Sequence, residues 1–223
     1  MCSTDPVEWR LLSGLSKAEV DHVLATTRRA DYRRDDVIFA AGETGNTLHL
    51  LEAGHVALRV PTLSGEPVTL TIVAPGDAFG ELALLRRSSR RSATAIALDD
   101  VRTRVLTADA FRAMVAEHPT VERLLVGILA ARVNRLTTHL VDSLSLPVDQ
   151  RVVRRLVEVC RVYAAPDATA VVVPLTQEDL AGLAGTTRPT VNTVLRRLAG
   201  DGVVSLSRGR IEVHDLARLT AGT

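Results

Sequence analysis

The stretch GELALLRRSSRRSA, residues 80–93, decides how this chain is interpreted. Gly80 admits a sharp turn and lets the backbone come close to a ligand. The short helix predicted after it has free N–H groups that favour an anion, and Arg91 can bind the same anion through a planar set of donors. Glu81 beside an anion is explained if its carboxylate accepts a hydrogen bond from a ribose hydroxyl. A phosphate and a ribose hydroxyl together indicate a nucleotide.

Short apolar runs separated by turn residues surround this stretch and predict β-strands. The predicted strands cover residues 37–39, 48–51, 56–60, 68–73, 93–98 and 101–106. Several short strands at this spacing favour a β-roll or barrel. Ahead of them, apolar residues at roughly helical spacing predict short helices within residues 6–29.

A long helix is predicted over about residues 120–144, after a short helix over 109–117. Its apolar face alternates steps of three and four, at Val126, Leu129, Val133, Leu136, Leu140 and Ser143. That spacing is typical of a coiled-coil seam between two helices. The alternative is a helix packed on its own domain, but about 24 residues exceed the length of an average helix.

The residues after Pro147 have the pattern of a second domain, because proline ends the long helix. The predicted elements are a helix over 149–162, a strand over 171–173, a tight turn at 185–187 and two strands around 208–210. Thr176 and Asp179 form a predicted capping box at the start of a helix that precedes the tight turn. A further helix after the turn completes a winged helix-turn-helix.

The composition is typical of a two-domain cytoplasmic protein. With 223 residues, 46% of them apolar, the chain can build two cores. Its cysteines, Cys2 and Cys160, are too few for a disulfide framework or an iron–sulfur cluster. No basic start followed by an apolar run occurs, so we expect no signal peptide. No apolar run reaches about 18 residues, so we expect no membrane span. The histidines lack metal-site spacing and no catalytic motif occurs, so we expect neither a metal site nor an enzyme.

The 80–93 stretch resembles the phosphate-binding cassette of the cyclic-AMP receptor protein and FNR family of bacterial transcription regulators. The similarity extends over about residues 10–214. It implies an α+β fold with three parts: an N-terminal cyclic-nucleotide-binding β-roll domain at 1–118, a long dimerisation helix at 119–145, and a C-terminal winged helix-turn-helix DNA-binding domain at 146–223.

The function that this resemblance implies is allosteric control of transcription. The chain would form a homodimer, bind double-stranded DNA under the control of cyclic AMP, and act on RNA polymerase. Cyclic GMP, or no effector at all, remains open. The alternatives are a ligand-independent regulator with a degenerate pocket, or a cyclic-nucleotide module that controls a partner protein.

The resemblance also implies roles for individual residues of the ligand site. Glu81 accepts from the ribose 2′-hydroxyl, and Arg91 and Ser92 hold the cyclic phosphate. The other implied ligand residues are Leu58, Leu70, Thr71, Gly80, Leu82, Ala83, Thr137 and Thr138. An ungapped alignment places Leu136 at a position that reads the adenine amine, and leucine cannot accept a hydrogen bond. We therefore expect Thr137 to contact the base, with Thr138 beside it after a one-residue rotation.

At the DNA site, the resemblance gives Arg188 the guanine-reading position, and a bidentate contact to guanine is the best physical use of arginine there. Pro189 stands where the family usually has glutamate, so it offers no acceptor for a cytosine amine. Thr193 occupies another family arginine position and could touch a thymine methyl. The remaining DNA-contact predictions are Thr176, Gln177, Thr187, Thr190, Asn192, Arg196 and Arg208.

Overall fold

The computed structural model describes residues 7–62, 67–85, 90–165 and 167–221. The chain divides into two compact units. One contains the residues up to Val60 together with Val73–Arg135, and the other contains Pro61–Ile72 together with the residues from Leu136 onward.

The first unit is built mainly from short strands with helices at each end. Its helices are the 3₁₀ helix Arg10–Leu12, α1 (Lys17–Ala25), the 3₁₀ helix Glu81–Ala83 and α2 (Ala108–Glu117). Its strands are β1 (Arg28–Tyr32), β2 (Val37–Phe39), β3 (Thr47–Ala53), β4 (Val56–Val60), β6 (Ala78–Phe79), β7 (Thr94–Ala97) and β8 (Val101–Thr107), and β5 (Val68–Val73) lies across the division.

The strands of the first unit form antiparallel sheets. One sheet has the order β1-β8-β3-β6, and its register pairs His49 of β3 with Val105 of β8 and with Phe79 of β6. In the other sheet, β7 lies between β2 and β4. Successive side chains of a strand point to opposite faces. Leu48 and Leu50 of β3 therefore pack with α2 residues, whereas Leu51 packs into a second cluster with Phe79.

The second unit contains the predicted winged helix-turn-helix. Its elements are α4 (Val148–Tyr163), β9 (Val171–Val173), α5 (Gln177–Ala184), α6 (Arg188–Gly200), β10 (Val204–Ser207), β11 (Arg210–Val213) and α7 (Leu216–Ala221). The capping box of Thr176 and Asp179 is present at the start of α5. Gly185 ends α5 with a φ of 59°, a left-handed conformation that glycine adopts without strain. The three strands form an antiparallel sheet in the order β10-β11-β9.

Helix α3 (Pro119–Ser145) joins the two units in sequence and carries exposed apolar side chains. Val133 is 61% exposed and Leu144 is 81% exposed. Leu129, which the sequence placed in the same seam, packs partly against the core of the first unit instead. By length and composition α3 is the one helix among the described residues that could cross a membrane, with a mean hydropathy of 1.2. This is weak evidence for a span.

The predicted architecture is confirmed, with two short strands added. All six predicted strands occur, but β1 and β6 were not predicted. In β1, Arg28, Arg29 and Asp31 are exposed, so the strand has no apolar alternation to reveal it. It forms because its backbone pairs with β8 along the edge of the sheet. The helices predicted within residues 6–29 therefore end at Ala25.

Candidate functional site

Arg91 is buried, and its guanidinium is held by Thr47 of β3 and by the backbone of Gly80. Its Nη1 donates to the carbonyl of Thr47 at 2.9 Å and to the carbonyl of Gly80 at 3.0 Å. Its Nη2 donates to the Thr47 hydroxyl at 2.6 Å. Its guanidinium carbon lies 4.0 Å from the centre of the Phe39 ring. These contacts fix both the plane of the guanidinium and its rotation within that plane.

Two donors of Arg91 remain. A guanidinium has five N–H groups, and Nη1 uses both of its own while Nη2 uses one. Within the described residues, no acceptor meets Nε–H or the second Nη2 hydrogen. These two lie side by side on one edge of the group, which is the geometry that binds a phosphate or carboxylate through two parallel hydrogen bonds. Burial lowers the pKa of Arg91, and the carboxylates of Glu43 and Glu81 partly offset this.

Two glycines leave room for the guanidinium of Arg91, Gly80 beside Nη1 and Gly45 beside Nε. Gly80 has a φ of 87°, and a β-carbon there would lie 2.6 Å from Arg91 Nη1. A β-carbon at Gly45 would lie 2.9 Å from Arg91 Nε and 2.3 Å from the β-carbon of Ala83. All three distances are shorter than a β-carbon tolerates, so larger residues at these positions would displace Arg91 or Ala83.

Glu81 is 2% exposed and has one unused oxygen. Arg132 of α3 forms an ion pair and hydrogen bond with Glu81 Oε1. Within the described residues, Glu81 Oε2 has no hydrogen-bond partner. A buried oxygen without a donor costs free energy, and a ligand hydroxyl would supply that donor. Glu81 and Arg91 therefore do not pair with each other, contrary to the surface ion pair that such neighbours often form.

Glu81 and Arg91 line one small cavity of about 30 Å³ in the first unit. Its lining residues are Phe39, Leu58, Gly80, Glu81, Leu82, Ala83, Arg91, Ser92, Ala93 and Arg132. Seven of these were predicted from the sequence. Phe39, Ala93 and Arg132 were not, because an aromatic residue on a strand and an arginine on a long helix carry no motif.

Four predicted ligand residues lie outside the first unit. Leu70 and Thr71 are on β5, and Thr137 and Thr138 are on the exposed part of α3. They belong to the second unit, so their contact with a ligand stays a prediction.

The N-terminus of α6 presents the predicted DNA-contact residues at the surface of the second unit. Thr187, Arg188 and Thr193 are exposed, while Val191, Val194 and Leu195 are buried and hold the helix in place. Pro189 occupies the first turn of α6, where its missing N–H would have no helical partner. The hydroxyls of Thr187 and Thr190 lie 3.0 Å apart, and the Thr193 hydroxyl donates to the Pro189 carbonyl at 3.1 Å.

The arginines of this surface differ in whether a carboxylate pairs with them. Within the described part of the chain, Arg188, Arg196 and Arg208 have no hydrogen-bond or ion-pair partner. Arg197 instead pairs with Asp149 at 3.1 Å. Of the two neighbouring arginines in α6, Arg196 is therefore the one available to a polyanion.

A cavity of about 390 Å³ lies between α5, α6 and the hairpin of β10 and β11. Its lining residues are Leu175, Thr176, Gln177, Glu178, Arg188, Leu206, Ser207, Arg208, Gly209, Arg210 and Ile211. Thr176, Gln177, Arg188 and Arg208, which were predicted from three separate segments, meet here. Asn192 is half-buried on α6 and does not line this cavity.

The described residues give no sign of a metal or thiol site. No group of three or more potential metal-ligating residues occurs among them. Cys160 is buried, and desolvation raises the pKa of its thiol to about 12, so it is an unreactive core residue. Cys2 lies outside the described residues.

Two protein-family models match the chain: a cyclic nucleotide-binding domain over residues 29–118 and a Crp-like helix-turn-helix domain over residues 150–221. The chain is 35% identical over 210 residues to the cyclic AMP receptor protein of Thermus thermophilus, covering 94% of each chain. It is 29% identical to a CRP-like cAMP-activated global transcriptional regulator of Mycobacterium tuberculosis, again over 94% of each chain.

A solved structure agrees with these matches. A transcriptional regulator of the CRP/FNR family from Thermus thermophilus superposes with a TM-score of 0.73 and 26% identity, over 87% of this chain and 97% of that chain. Such regulators bind DNA, are not enzymes, and are normally soluble cytoplasmic proteins. From the two matched domains and the relative that is 35% identical, the chain belongs to the cyclic-AMP receptor protein and FNR family of transcription regulators.

Proposed function

We propose that this protein is a homodimeric regulator whose binding to double-stranded DNA is controlled by cyclic AMP. The β-roll domain would comprise residues 1–118, the dimerisation helix 119–145 and the winged helix-turn-helix 146–223. A regulator bound at a promoter would then act on RNA polymerase. The names of the Thermus and Mycobacterium relatives support cyclic AMP as the effector.

The observation that carries the ligand proposal is the pair of unused groups in one buried cavity. Arg91 offers two parallel N–H donors, and Glu81 offers one carboxylate oxygen. A cyclic phosphate supplies two acceptor oxygens, and the neighbouring ribose 2′-hydroxyl supplies one donor. A simple anion would satisfy Arg91 but leave the Glu81 oxygen unpaired. The combination therefore favours a cyclic nucleotide over inorganic phosphate.

The apolar face of α3 supports the homodimer. Val126, Val133, Leu136 and Leu140 are exposed, and their spacings of seven, three and four keep them on the one helix face that brings two helices together. Exposed apolar side chains at this spacing are stabilised by burial against a second helix. A second copy of the chain presents an identical stripe, so a twofold axis along α3 would bury both.

The DNA proposal follows from the unpaired arginines and the position of α6. In a dimer, two copies of α6 would enter successive major grooves about 34 Å apart. Arg188 would reach base edges, and Arg208 in the wing would contact phosphates. For cyclic AMP to control this arrangement, it must bind one arrangement of the dimer more tightly than the other.

A ligand-independent regulator is the second candidate, and the small cavity favours it. The first unit encloses about 30 Å³ around Arg91, whereas ligand pockets ordinarily measure about 300–1,000 Å³. Leu136 also lacks the acceptor that an adenine amine needs. If no further residues complete this pocket, the effector site would be degenerate.

Fluorescence anisotropy distinguishes these candidates. A DNA site is first selected from a randomised pool, and the full chain is titrated into it with cyclic AMP, with cyclic GMP and without nucleotide. We expect cyclic AMP to increase DNA affinity at least tenfold. This corresponds to a coupling free energy of about 1.4 kcal/mol between the nucleotide site and the DNA site. Equal DNA affinity in all three titrations, with no heat of nucleotide binding in calorimetry, would establish the ligand-independent regulator.

A further inference from the structure

A chain of hydrogen bonds runs from Arg91 into the interior of the first unit. Thr47 Oγ1 accepts from Arg91 Nη2 at 2.6 Å and lies 3.3 Å from His49 Nε2. His49 Nδ1 lies 3.3 Å from Thr103 Oγ1. His49 is 4% exposed and Thr103 is 0% exposed. Solvent therefore does not compete for the His49 ring or the Thr103 hydroxyl.

One assignment of the protons is consistent with what these groups can donate and accept. Arg91 has no acceptor atom, so Thr47 accepts from it, and the hydroxyl proton of Thr47 remains available for His49 Nε2. His49 then carries its own proton on Nδ1 and donates to Thr103. In this arrangement each contact from Arg91 to Thr103 has one donor and one acceptor.

This direction requires a neutral His49 ring, since a protonated ring would donate from both nitrogens. Burial, together with the positive charges of Arg91 and Arg28, lowers the pKa of His49 to about 3. The ring also stacks on Phe79, with the centroids 5.0 Å apart. His49 is thus fixed in position and remains an acceptor for Thr47 at neutral pH.

We propose that Thr47 is a positioning residue for Arg91 and that His49 holds the Thr47 hydroxyl in the orientation this role requires. The two carbonyl contacts of Nη1 alone leave the guanidinium able to pivot about them. The hydrogen bond from Nη2 to the Thr47 hydroxyl prevents this rotation, so the Nε hydrogen and the second Nη2 hydrogen point in the same direction. A bidentate contact needs both donors at once, so a pivoting group would bind an anion less tightly.

Three threonine variants separate the hydroxyl from the shape of the side chain. Thr47→Val removes the hydroxyl and keeps the branched shape, whereas Thr47→Ser keeps the hydroxyl. Thr94→Val is the matched control, because its hydroxyl accepts from the Ala41 backbone at 3.0 Å and has no contact with Arg91. Thermal melting of each variant reports whether the fold is retained.

Cyclic-AMP affinity, measured by calorimetry on the full chain, is the first measurement, and it rests on the proposed function. We expect Thr47→Val to weaken binding about tenfold, the loss of one charge-assisted hydrogen bond. We expect Thr47→Ser and Thr94→Val to bind within about threefold of the parent. In an Arg91→Ala background, Thr47→Val should have no further effect. An equal loss in both backgrounds, or a loss in Thr47→Ser as large as in Thr47→Val, would overturn the positioning role.

The second measurement does not depend on any nucleotide. The Nε–H signal of Arg91, assigned by its disappearance in Arg91→Ala, reports the mobility of the guanidinium in ¹⁵N relaxation experiments. We expect a rigid signal in the parent and in Thr94→Val, and a mobile signal in Thr47→Val and in His49→Phe. An Arg91 signal as rigid in Thr47→Val as in the parent refutes the inference. If instead the mobility changes but no nucleotide binds, the positioning role stands and the proposed effector fails.

Discussion

Replacing Arg91 with alanine tests the ligand site most directly. The substitution removes the two free donors, Nε–H and the second Nη2 hydrogen, from a buried position. Hydrogen bonds to charged groups contribute about 1.5–3 kcal/mol each, so two of them predict a loss of about 3–6 kcal/mol in binding. That loss corresponds to a dissociation constant about 100- to 20,000-fold larger.

The same substitution also affects the fold, and a second variant accounts for this. Arg91→Ala leaves the carbonyls of Thr47 and Gly80 without their donor, at a cost of about 1–3 kcal/mol for each group that stays buried. Arg91→Lys keeps the positive charge but replaces the planar fork by a single ammonium. Its affinity should lie between those of the parent and Arg91→Ala.

The assay is isothermal titration calorimetry of cyclic AMP into the full chain, with melting temperatures recorded for every variant. Arg112→Ala is the matched control, since that arginine is exposed on α2 and pairs only with Asp109 in the same helix, as far as the described residues show. We expect parental affinity in the control. Parental affinity in a folded Arg91→Ala variant would show that Arg91 does not bind the phosphate.

The other predictions concern the dimer, the base and the DNA. Val133→Glu should give monomers in sedimentation velocity because it places a carboxylate in the seam. Ala131→Glu, on the opposite face of α3, should leave the dimer intact. A monomeric parent would contradict the seam. Leu136→Thr should tighten cyclic-AMP binding by about 1 kcal/mol, one added hydrogen bond, and unchanged or weaker calorimetric affinity would indicate that the threonines after it already contact the base. In binding selections, Arg188→Ala should relax the guanine preference and cost about 1–3 kcal/mol of binding free energy for each half-site. Arg208→Ala should instead weaken the binding of all DNA sequences equally and reduce its salt dependence. A guanine preference that survives Arg188→Ala would make Arg188 a structural residue or a phosphate contact.

Local sequence patterns predicted most of the fold, because apolar residues recur at the spacing of a helix or a strand along each element. Strands β3 and β4 have dense apolar runs, and the capping box of Thr176 and Asp179 marks a helix start without reference to any partner. Strand β1 has neither signal. It exists because its exposed backbone, from Arg28 to Tyr32, completes a sheet whose other strands lie far along the chain, and no local sequence rule contains that information.

Six of the seven predicted residues that line the candidate ligand cavity come from one contiguous motif, and Leu58 came from the family resemblance. Gly80, Glu81 and Arg91 lie within a dozen residues, and their chemistry can be read together. Arg132 pairs with Glu81 across 51 residues of sequence, and Thr47 meets Arg91 across 44 residues. A threonine beginning a strand, or an arginine among other arginines on a helix, has no local feature that distinguishes it.

Leu129 shows why an amphipathic pattern alone did not define the seam. Its spacing fits the stripe from Val126 to Leu140, yet it packs partly against the core of its own unit. An apolar stripe on a helix predicts that its side chains are buried, but it does not indicate which partner buries each of them. One helix face can therefore make two different contacts. Val133 is therefore the sharper position at which to test the dimer.

Helix α3 carries one buried ion pair near its middle and another near its C-terminal end. Arg132 holds Glu81 of the ligand site, while Asp142 is 3% exposed and pairs with Arg155 of α4, at the start of the DNA-binding region. Arg132 occupies only one oxygen of Glu81, so a ribose hydroxyl can bind the other without breaking the pair. The nucleotide would then add its contacts to a residue already joined to α3 and would stabilise the arrangement in which that pair is intact. We therefore expect nucleotide binding at Glu81 to affect helix α3 through Arg132 rather than through Arg91.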